Sequence, residues 1–220
     1  MTPSPHRADQ PGGDVAHPTR TTRFGSLEIA YDDRVLQPRE WTTHQSRWAA
    51  ELLVGAPAGP VLELCAGAGQ IGLLAVAGLS RRLVCVDVNP VACDYARRNA
   101  AAAGLAGRVE VREGDLQAVI SAEERFPVIL ADPPYLRPDE LASYPEDPRL
   151  AVDGGPDGLS VARTCLAVIH GHLLPGGSAL LQLRDLEQVD QLDSELATSD
   201  LTVAGSRGYE RGALVLLHRP

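Results

Sequence analysis

Short apolar runs alternate with helical patterns along most of the chain. Seven runs are rich in Val, Leu, Ile and Ala, and they fall at residues 61–64, 83–86, 109–112, 127–131, 178–183, 201–205 and 213–218. Buried runs separated by helices are typical of a parallel sheet that is covered on both faces. Only a short connection joins the last two runs, which favours an antiparallel pair. The pattern predicts an α/β fold with a doubly wound, seven-stranded, mostly parallel sheet and an antiparallel last strand.

The pattern before residue 56 is different. Residues 1–22 contain prolines, glycines and threonines without apolar periodicity, and they are predicted to be a disordered leader. Residues 23–55 are predicted to form an N-terminal hairpin, with strands at 24–30 and 33–36, followed by a helix. Residues 56–220 then form the main domain.

Composition and charge exclude several classes of protein. The hydrophobic content of 44% and the charged content of 22% are ordinary for a globular protein. The net charge of −9 disfavours broad binding to a nucleic-acid backbone. No apolar run is long enough for a membrane span, and no secretory signal is evident, so a soluble, cytoplasmic protein is expected.

The four cysteines have no C-x-x-C spacing, so no metal site is predicted. All twenty basic residues are arginine, which excludes lysine-based covalent catalysis.

A glycine-containing loop follows the first strand of the main domain, at Cys65-Ala66-Gly67-Ala68-Gly69. Glycines there allow the backbone to approach a ligand closely. Glu63 would repel a pyrophosphate, whereas it could serve the amino group or the sulfonium of S-adenosylmethionine. Asp87 ends the second strand, eighteen residues after Gly69, where an acid accepts hydrogen bonds from ribose hydroxyls. Asp115 follows the third strand and could accept from the adenine amino group, although a helix cap is an equal alternative.

The fourth strand ends in Asp132-Pro133-Pro134-Tyr135. Two prolines fix the backbone, so their carbonyls are held outward rather than used in the sheet. A planar amine could donate to Asp132 and to a proline carbonyl, while Tyr135 stacks on the group that carries the amine. The alternative is an ordinary turn that ends the strand.

Together these motifs resemble the class I S-adenosylmethionine-dependent methyltransferases, which have a Rossmann-like fold. Within that class the chain resembles the HemK-type (PrmC-type) protein N5-glutamine methyltransferases, whose signature ends a strand with an acid or Asn, then Pro-Pro-Tyr. The segments 35–42, 146–159 and 200–218 also resemble parts of that family. The resemblance implies that residues 56–220 are the catalytic domain and that S-adenosyl-L-methionine is the cofactor. Its implied cofactor-binding residues are Glu63, Cys65, Ala66, Gly67, Gly69, Asp87, Val88, Asp115, Leu116, Asp132, Arg39 and Thr42.

Two residues depart from the family's pattern. The family usually has Asn where this chain has Asp132, and Asp-Pro-Pro-Tyr also occurs in methyltransferases that act on amino groups of adenine or guanine. Cys65 replaces the usual first glycine of the loop, which is expected to be tolerated with a negative φ.

The resemblance implies methyl transfer to a glutamine side-chain amide of a release-factor-like protein, with Asp132, Pro133, Pro134 and Tyr135 as the catalytic residues. Bacterial members also carry an N-terminal helical domain, in place of which this chain has a short leader, so a small partner subunit is a further expectation. Three alternatives stay open: an amino group of a nucleic-acid base, a small-molecule amine, and a non-catalytic cofactor-binding subunit. Nucleic acid is disfavoured by the net charge.

Overall fold

The computed structural model describes residues 16–196 and 199–220. A seven-stranded sheet has the strand order β5-β4-β3-β6-β7-β9-β8. Within it, β9 is antiparallel to both of its neighbours and the other neighbouring pairs are parallel, which confirms the predicted sheet. The strands are β3 Val61–Leu64, β4 Leu83–Asp87, β5 Val109–Glu113, β6 Phe126–Ala131, β7 Leu173–Leu183, β8 Thr202–Gly208 and β9 Ala213–His218.

Helices cover both faces of this sheet. Helix α3 begins where Asn89 accepts hydrogen bonds from the Val91 and Ala92 backbone and Pro90 takes the first helical position. This start matches the sequence, since proline fits the first turn and Asn is a favoured cap. The helices are α1 Thr43–Gly55, α2 Gln70–Val76, α3 Pro90–Ala102, α4 Arg149–Val152, α5 Ser160–His172, α6 Leu186–Gln191 and α7 Asp193–Leu196.

The N-terminal hairpin lies earlier in the chain than predicted. Strand β1, Arg20–Phe24, pairs with β2, Leu27–Tyr31, across a turn at Gly25, whose φ of +58° favours glycine. The strand predicted at 33–36 is therefore wrong. Instead, Asp32 is fully buried and pairs with Arg34, which turns the chain towards α1. Residues 1–15 of the predicted leader lie outside the described residues, and its predicted end at 22 is wrong because β1 begins at Arg20.

Two hydrophobic clusters fill the two faces of the sheet. One contains Phe126, Ile169 and Leu181 and lies under α5. The other contains Phe24 and Trp48 together with Val61, so the hairpin and α1 share a core with the sheet. The 23–55 segment therefore packs on the main domain, although the predicted domain boundary stays a prediction.

The arrangement of strands determines where a site can form. β3 and β6 are parallel neighbours, and the chain leaves them on opposite sides of the sheet, towards β4 and towards β7. A crevice at such a switch point, at the carboxyl ends of the strands, is where doubly wound folds bind ligands. Among the described residues, no helix is long and apolar enough to cross a membrane. No group of three His, Cys, Asp or Glu residues in the described ranges is arranged to hold a metal ion.

Candidate active site

The glycine loop between β3 and α2 takes a left-handed course. Gly67 and Gly69 have φ values of +55° and +80°. The space above Gly67 is open, because a Cβ there would meet nothing nearer than the Gln70 side chain at 3.9 Å. Cys65 also has a positive φ, +55°, so the expectation of a negative φ is wrong. Cys65 thus adopts a left-handed backbone conformation that suits glycine, and this conformation costs a residue with a side chain about 1–2 kcal/mol.

Asp87 holds the glycine loop against the next strand. Its Oδ2 accepts from the Gly67 backbone N–H at 2.7 Å, and its Oδ1 accepts from the Asn89 N–H at 2.8 Å. Burial raises the pKa of Asp87, and these N–H groups partly offset the rise. A carboxylate oxygen accepts more than one hydrogen bond, so ribose hydroxyls still have lone pairs to use.

Glu63, the acid next to the glycine loop in sequence, is buried. It is 2% exposed, and its carboxylate accepts from the Gly72 backbone N–H at 3.0 Å and from the Cys85 thiol at 3.3 Å. A Cβ at Gly72 would lie 2.4 Å from Glu63 Oε2, which explains the glycine inside α2. In these contacts the side chain fixes α2 against β3, and its predicted contact with the cofactor stays a prediction. Burial raises the pKa of Glu63 to about 7.

Asp132 stands at the end of β6 without a partner. Its carboxylate accepts no hydrogen bond from any described residue, and burial raises its pKa to about 7. Within the same described ranges, the Pro133 carbonyl is also unbonded, whereas the Tyr135 carbonyl accepts from Gln188 Nε2 at 3.1 Å. Burial and the neighbouring Asp132 raise the pKa of Tyr135, so its phenol is neutral at physiological pH. The tetrapeptide thus presents two unused acceptors and an aromatic ring.

A cavity of about 600 Å³ opens beside this tetrapeptide. Of the predicted residues, six line it: Arg39, Thr42, Asp132, Pro133, Pro134 and Tyr135. The remaining predicted cofactor residues, from Glu63 to Leu116, lie outside its walls. The cavity is therefore the candidate acceptor side of the site, and none of the described residues of the glycine loop lines it.

Three further predicted residues, Val88, Asp115 and Leu116, differ in their environment. Val88 is 55% exposed, which leaves an apolar surface beside Asp87. The Asp115 carboxylate accepts from the Gln117 N–H at 2.9 Å, so the capping alternative describes its observed contact, although a turn follows rather than a helix. Leu116 is 8% exposed and packs in the core.

Sequence reasoning missed several residues that shape the site. Gln45, fully buried in α1, donates from Nε2 to the carbonyls of Ala131 and Leu180 and so supports the strand end that carries Asp132. Gln70 lines the cavity, and its buried Oε1 has no hydrogen-bond partner in the described part of the chain. No local signal distinguishes Gln45, because the polar residues Thr43 and Ser46 of α1 are buried as well.

Other proteins share these features. A methyltransferase-domain family matches residues 61–146. The ribosomal protein uL3 glutamine methyltransferase of Bradyrhizobium diazoefficiens is 33% identical, with 89% of this chain and 69% of that protein aligned. The release factor glutamine methyltransferase of Deinococcus radiodurans is 36% identical over 84% of this chain and 66% of its own length. The chain therefore spans about two thirds of these relatives.

A solved structure shows the same fold. An RNA methyltransferase from Salinibacter ruber in complex with S-adenosyl-L-homocysteine has a TM-score of 0.55 and 19% identity, covering 84% of this chain and 94% of that one. Sheet order, glycine loop and strand-end acids define a class I S-adenosylmethionine-dependent methyltransferase. With the identity to curated relatives, the chain belongs to the HemK-type (PrmC-type) glutamine methyltransferase family.

The observed residues fit the family's cofactor. The open space above Gly67, the left-handed glycines and the strand-end Asp87 provide a backbone cradle with an acceptor beside it. Among the described residues, no cationic side chain is paired with Asp87 or Asp132. Their negative charges therefore remain available to attract a positively charged sulfonium. S-adenosylmethionine is thus the cofactor that the site is built to hold.

Proposed function

We propose that this protein transfers a methyl group to the side-chain amide nitrogen of a glutamine in a protein of the translation apparatus. The Asp132 carboxylate supports this most directly, because it lines the cavity and neither it nor the Pro133 carbonyl accepts a hydrogen bond from any residue that the structure describes. A primary amide carries two N–H donors in one plane, which suits two acceptors of this kind. Release factors and ribosomal protein uL3 are the acceptors named for the relatives.

The residues would act mainly by orienting the amide. An amide nitrogen is a weak nucleophile because its lone pair is delocalised, as the rotation barrier of ~18–20 kcal/mol shows. Hydrogen bonds to Asp132 and Pro133, of roughly 1.5–3 kcal/mol where charge assists, favour the localised lone pair. Alignment with the methyl group contributes up to about 7–11 kcal/mol. When bound, S-adenosylmethionine supplies the electrophilic methyl group.

Asp132 would also accept the proton that is released after methyl transfer. The methylated nitrogen carries one proton too many, and the proton passes to the carboxylate that already accepts its N–H. A carboxyl whose pKa is about 7 keeps this proton briefly and returns it to water at neutral pH. Tyr135 packs against the planar amide and remains neutral throughout.

One observation favours a second candidate, an amino group of a nucleic-acid base. The tetrapeptide begins with Asp132 rather than Asn, and the exocyclic amine of adenine or guanine also offers two coplanar N–H donors. The net charge of −9 opposes this candidate, since phosphate contacts dominate binding to nucleic acids.

Incubation with labelled S-adenosylmethionine distinguishes these candidates. The purified chain is given the release factors, uL3 and total RNA of its own organism, and each fraction is counted with and without nuclease. We expect label in one protein, located on a glutamine by mass spectrometry and absent when that glutamine is replaced by Glu. Nuclease-sensitive label would instead establish the base amino group. In the same assay at saturating cofactor, Asp132→Ala should lower turnover about 10- to 100-fold.

The proposal also covers partners and location. Substrates of the translation apparatus imply action in the cytoplasm. A small partner subunit, expected from the resemblance, is tested by co-purification of the tagged chain at its native level, followed by mass spectrometry of stoichiometric bands.

A further inference from the structure

One wall of the acceptor cavity is formed by residues 141–148, between the catalytic tetrapeptide and α4. Ser143, Tyr144 and Asp147 face the cavity from this wall. The wall is exposed on its outer side, and Tyr144 itself is 48% exposed. Its short 3₁₀ turn, Leu141–Ser143, provides little regular structure. Such a segment keeps one conformation only if contacts with the rest of the protein hold it in place.

A single ion pair ties the wall to the rest of the protein. The Arg39 guanidinium donates from one nitrogen to both Asp147 oxygens, at 2.6 and 2.8 Å. Among the described residues, no other side-chain hydrogen bond or ion pair connects residues 141–148 with any residue outside 140–151, while the chain just before the wall is held by the Glu140–Arg184 pair. Asp147 has a side-chain exposure of 13% and Arg39 one of 36%, so the pair is partly shielded from water.

The Arg39 end of the pair is rigid. The Arg39 carbonyl accepts from the Thr42 hydroxyl at 2.8 Å and from the Thr42 backbone N–H at 3.0 Å. Thr42 is 4% exposed and leads directly into α1. Arg39 was predicted to bind cofactor, but its observed partner is Asp147. Arg39, Asp147 and Tyr135 line the same cavity, so the pair and the ring face a common space.

We propose that the Arg39–Asp147 pair fixes the acceptor wall opposite Tyr135 and thereby sets the affinity for the glutamine-bearing segment. The inference rests on the proposed function for its kinetic part. The pair lines the acceptor cavity, and among the described residues none of the glycine loop at 65–69 lines that cavity. Loss of the pair therefore weakens acceptor binding more than the chemical step, because a mobile wall must be ordered each time a substrate binds.

The test compares Asp147→Asn with a matched control. Arg149→Gln breaks the nearby Arg149–Asp153 pair, whose arginine is 76% exposed and does not line the cavity. For Asp147→Asn we expect about a tenfold rise in KM for the acceptor, with kcat within about twofold of the wild type. Arg149→Gln should change neither, and Asp147→Glu, which keeps the carboxylate, should recover most of the loss.

A second measurement needs no acceptor. Hydrogen–deuterium exchange of residues 141–147 should become about tenfold faster in Asp147→Asn and stay unchanged in Arg149→Gln. Unchanged exchange in Asp147→Asn would overturn the inference, as would an equal rise in KM in both variants. Faster exchange together with a wild type that does not label glutamine would instead refute the proposed function and leave the tie itself supported.

Discussion

The ionisation of Asp132 controls methyl transfer if its carboxylate receives the amide N–H. Burial raises its pKa to about 7, so near neutral pH the group is divided between two forms. The ionised form accepts hydrogen bonds on both oxygens, whereas the protonated form places a donor where the substrate also has a donor. Activity should therefore fall as the pH falls through 7. Asp132→Asn removes the titration and keeps one acceptor oxygen.

The magnitude follows from the fraction ionised. With a pKa of about 7, about 9% of the carboxyl is ionised at pH 6 and about 91% at pH 8, so kcat/KM should rise about tenfold between them. In Asp132→Asn a neutral hydrogen bond replaces a charge-assisted one, a loss of about 1 kcal/mol or about fivefold in rate. The variant should be slower than the wild type at pH 8 and comparable with it at pH 6.

The assay is initial methylation of a glutamine peptide in a constant-ionic-strength buffer from pH 5.5 to 9, under kcat/KM conditions. Asp139→Asn serves as the matched control, because this aspartate is 74% exposed and lies outside the cavity lining. Its profile should follow the wild type. A wild-type profile that is flat between pH 6 and 8, or a limb that persists in Asp132→Asn, would refute the reasoning.

Three further predictions concern stability. The pKa of Glu63 is raised to about 7, so its ionised form destabilises the fold above that pH and the cost disappears below about pH 4.5. Denaturant unfolding of Glu63→Gln should thus show a gain of about 1–3 kcal/mol at pH 8 and none at pH 4, and a loss at pH 8 would contradict this. Gly72→Ala places a Cβ 2.4 Å from Glu63 Oε2 and should lower the free energy of unfolding by about 1–3 kcal/mol. The control Gly78→Ala meets no atom within 4 Å and should leave stability unchanged. Equal melting temperatures of the two variants would disprove the clash. Cys65 has a positive φ, so the stability of Cys65→Gly should stay within about 1 kcal/mol of the wild type, whereas the β-branched Cys65→Val should be about 1–3 kcal/mol less stable. Calorimetry that shows the reverse order of stability would count against backbone strain at this position.

Local rules explain why much of the fold was predictable. The apolar runs at 61–64 and 83–86 can only be buried on both faces, and Asn89 with Pro90 specifies a helix start, so elements and sheet type followed from short stretches. The position of the hairpin was predicted wrongly because that prediction also used only a local pattern. Tyr31 and Asp32, which lie between the two predicted strands, suit a turn. The actual turn uses Gly25, and Asp32 is buried by pairing with Arg34 and Tyr95. A long-range partner such as Tyr95 is invisible in a local pattern.

The chemistry divides in the same way. Sequence by itself determined the strand-end residues of the site, since parallel strands bring the loop after β3 and the acid after β6 to one edge of the sheet. Only the tertiary structure decided where each side chain points: Glu63 turns into the core, Asp132 stays unpaired, and Arg39 reaches Asp147 across 108 positions of sequence. Orientation depends on which neighbours satisfy a polar group, and those neighbours are brought together only by packing.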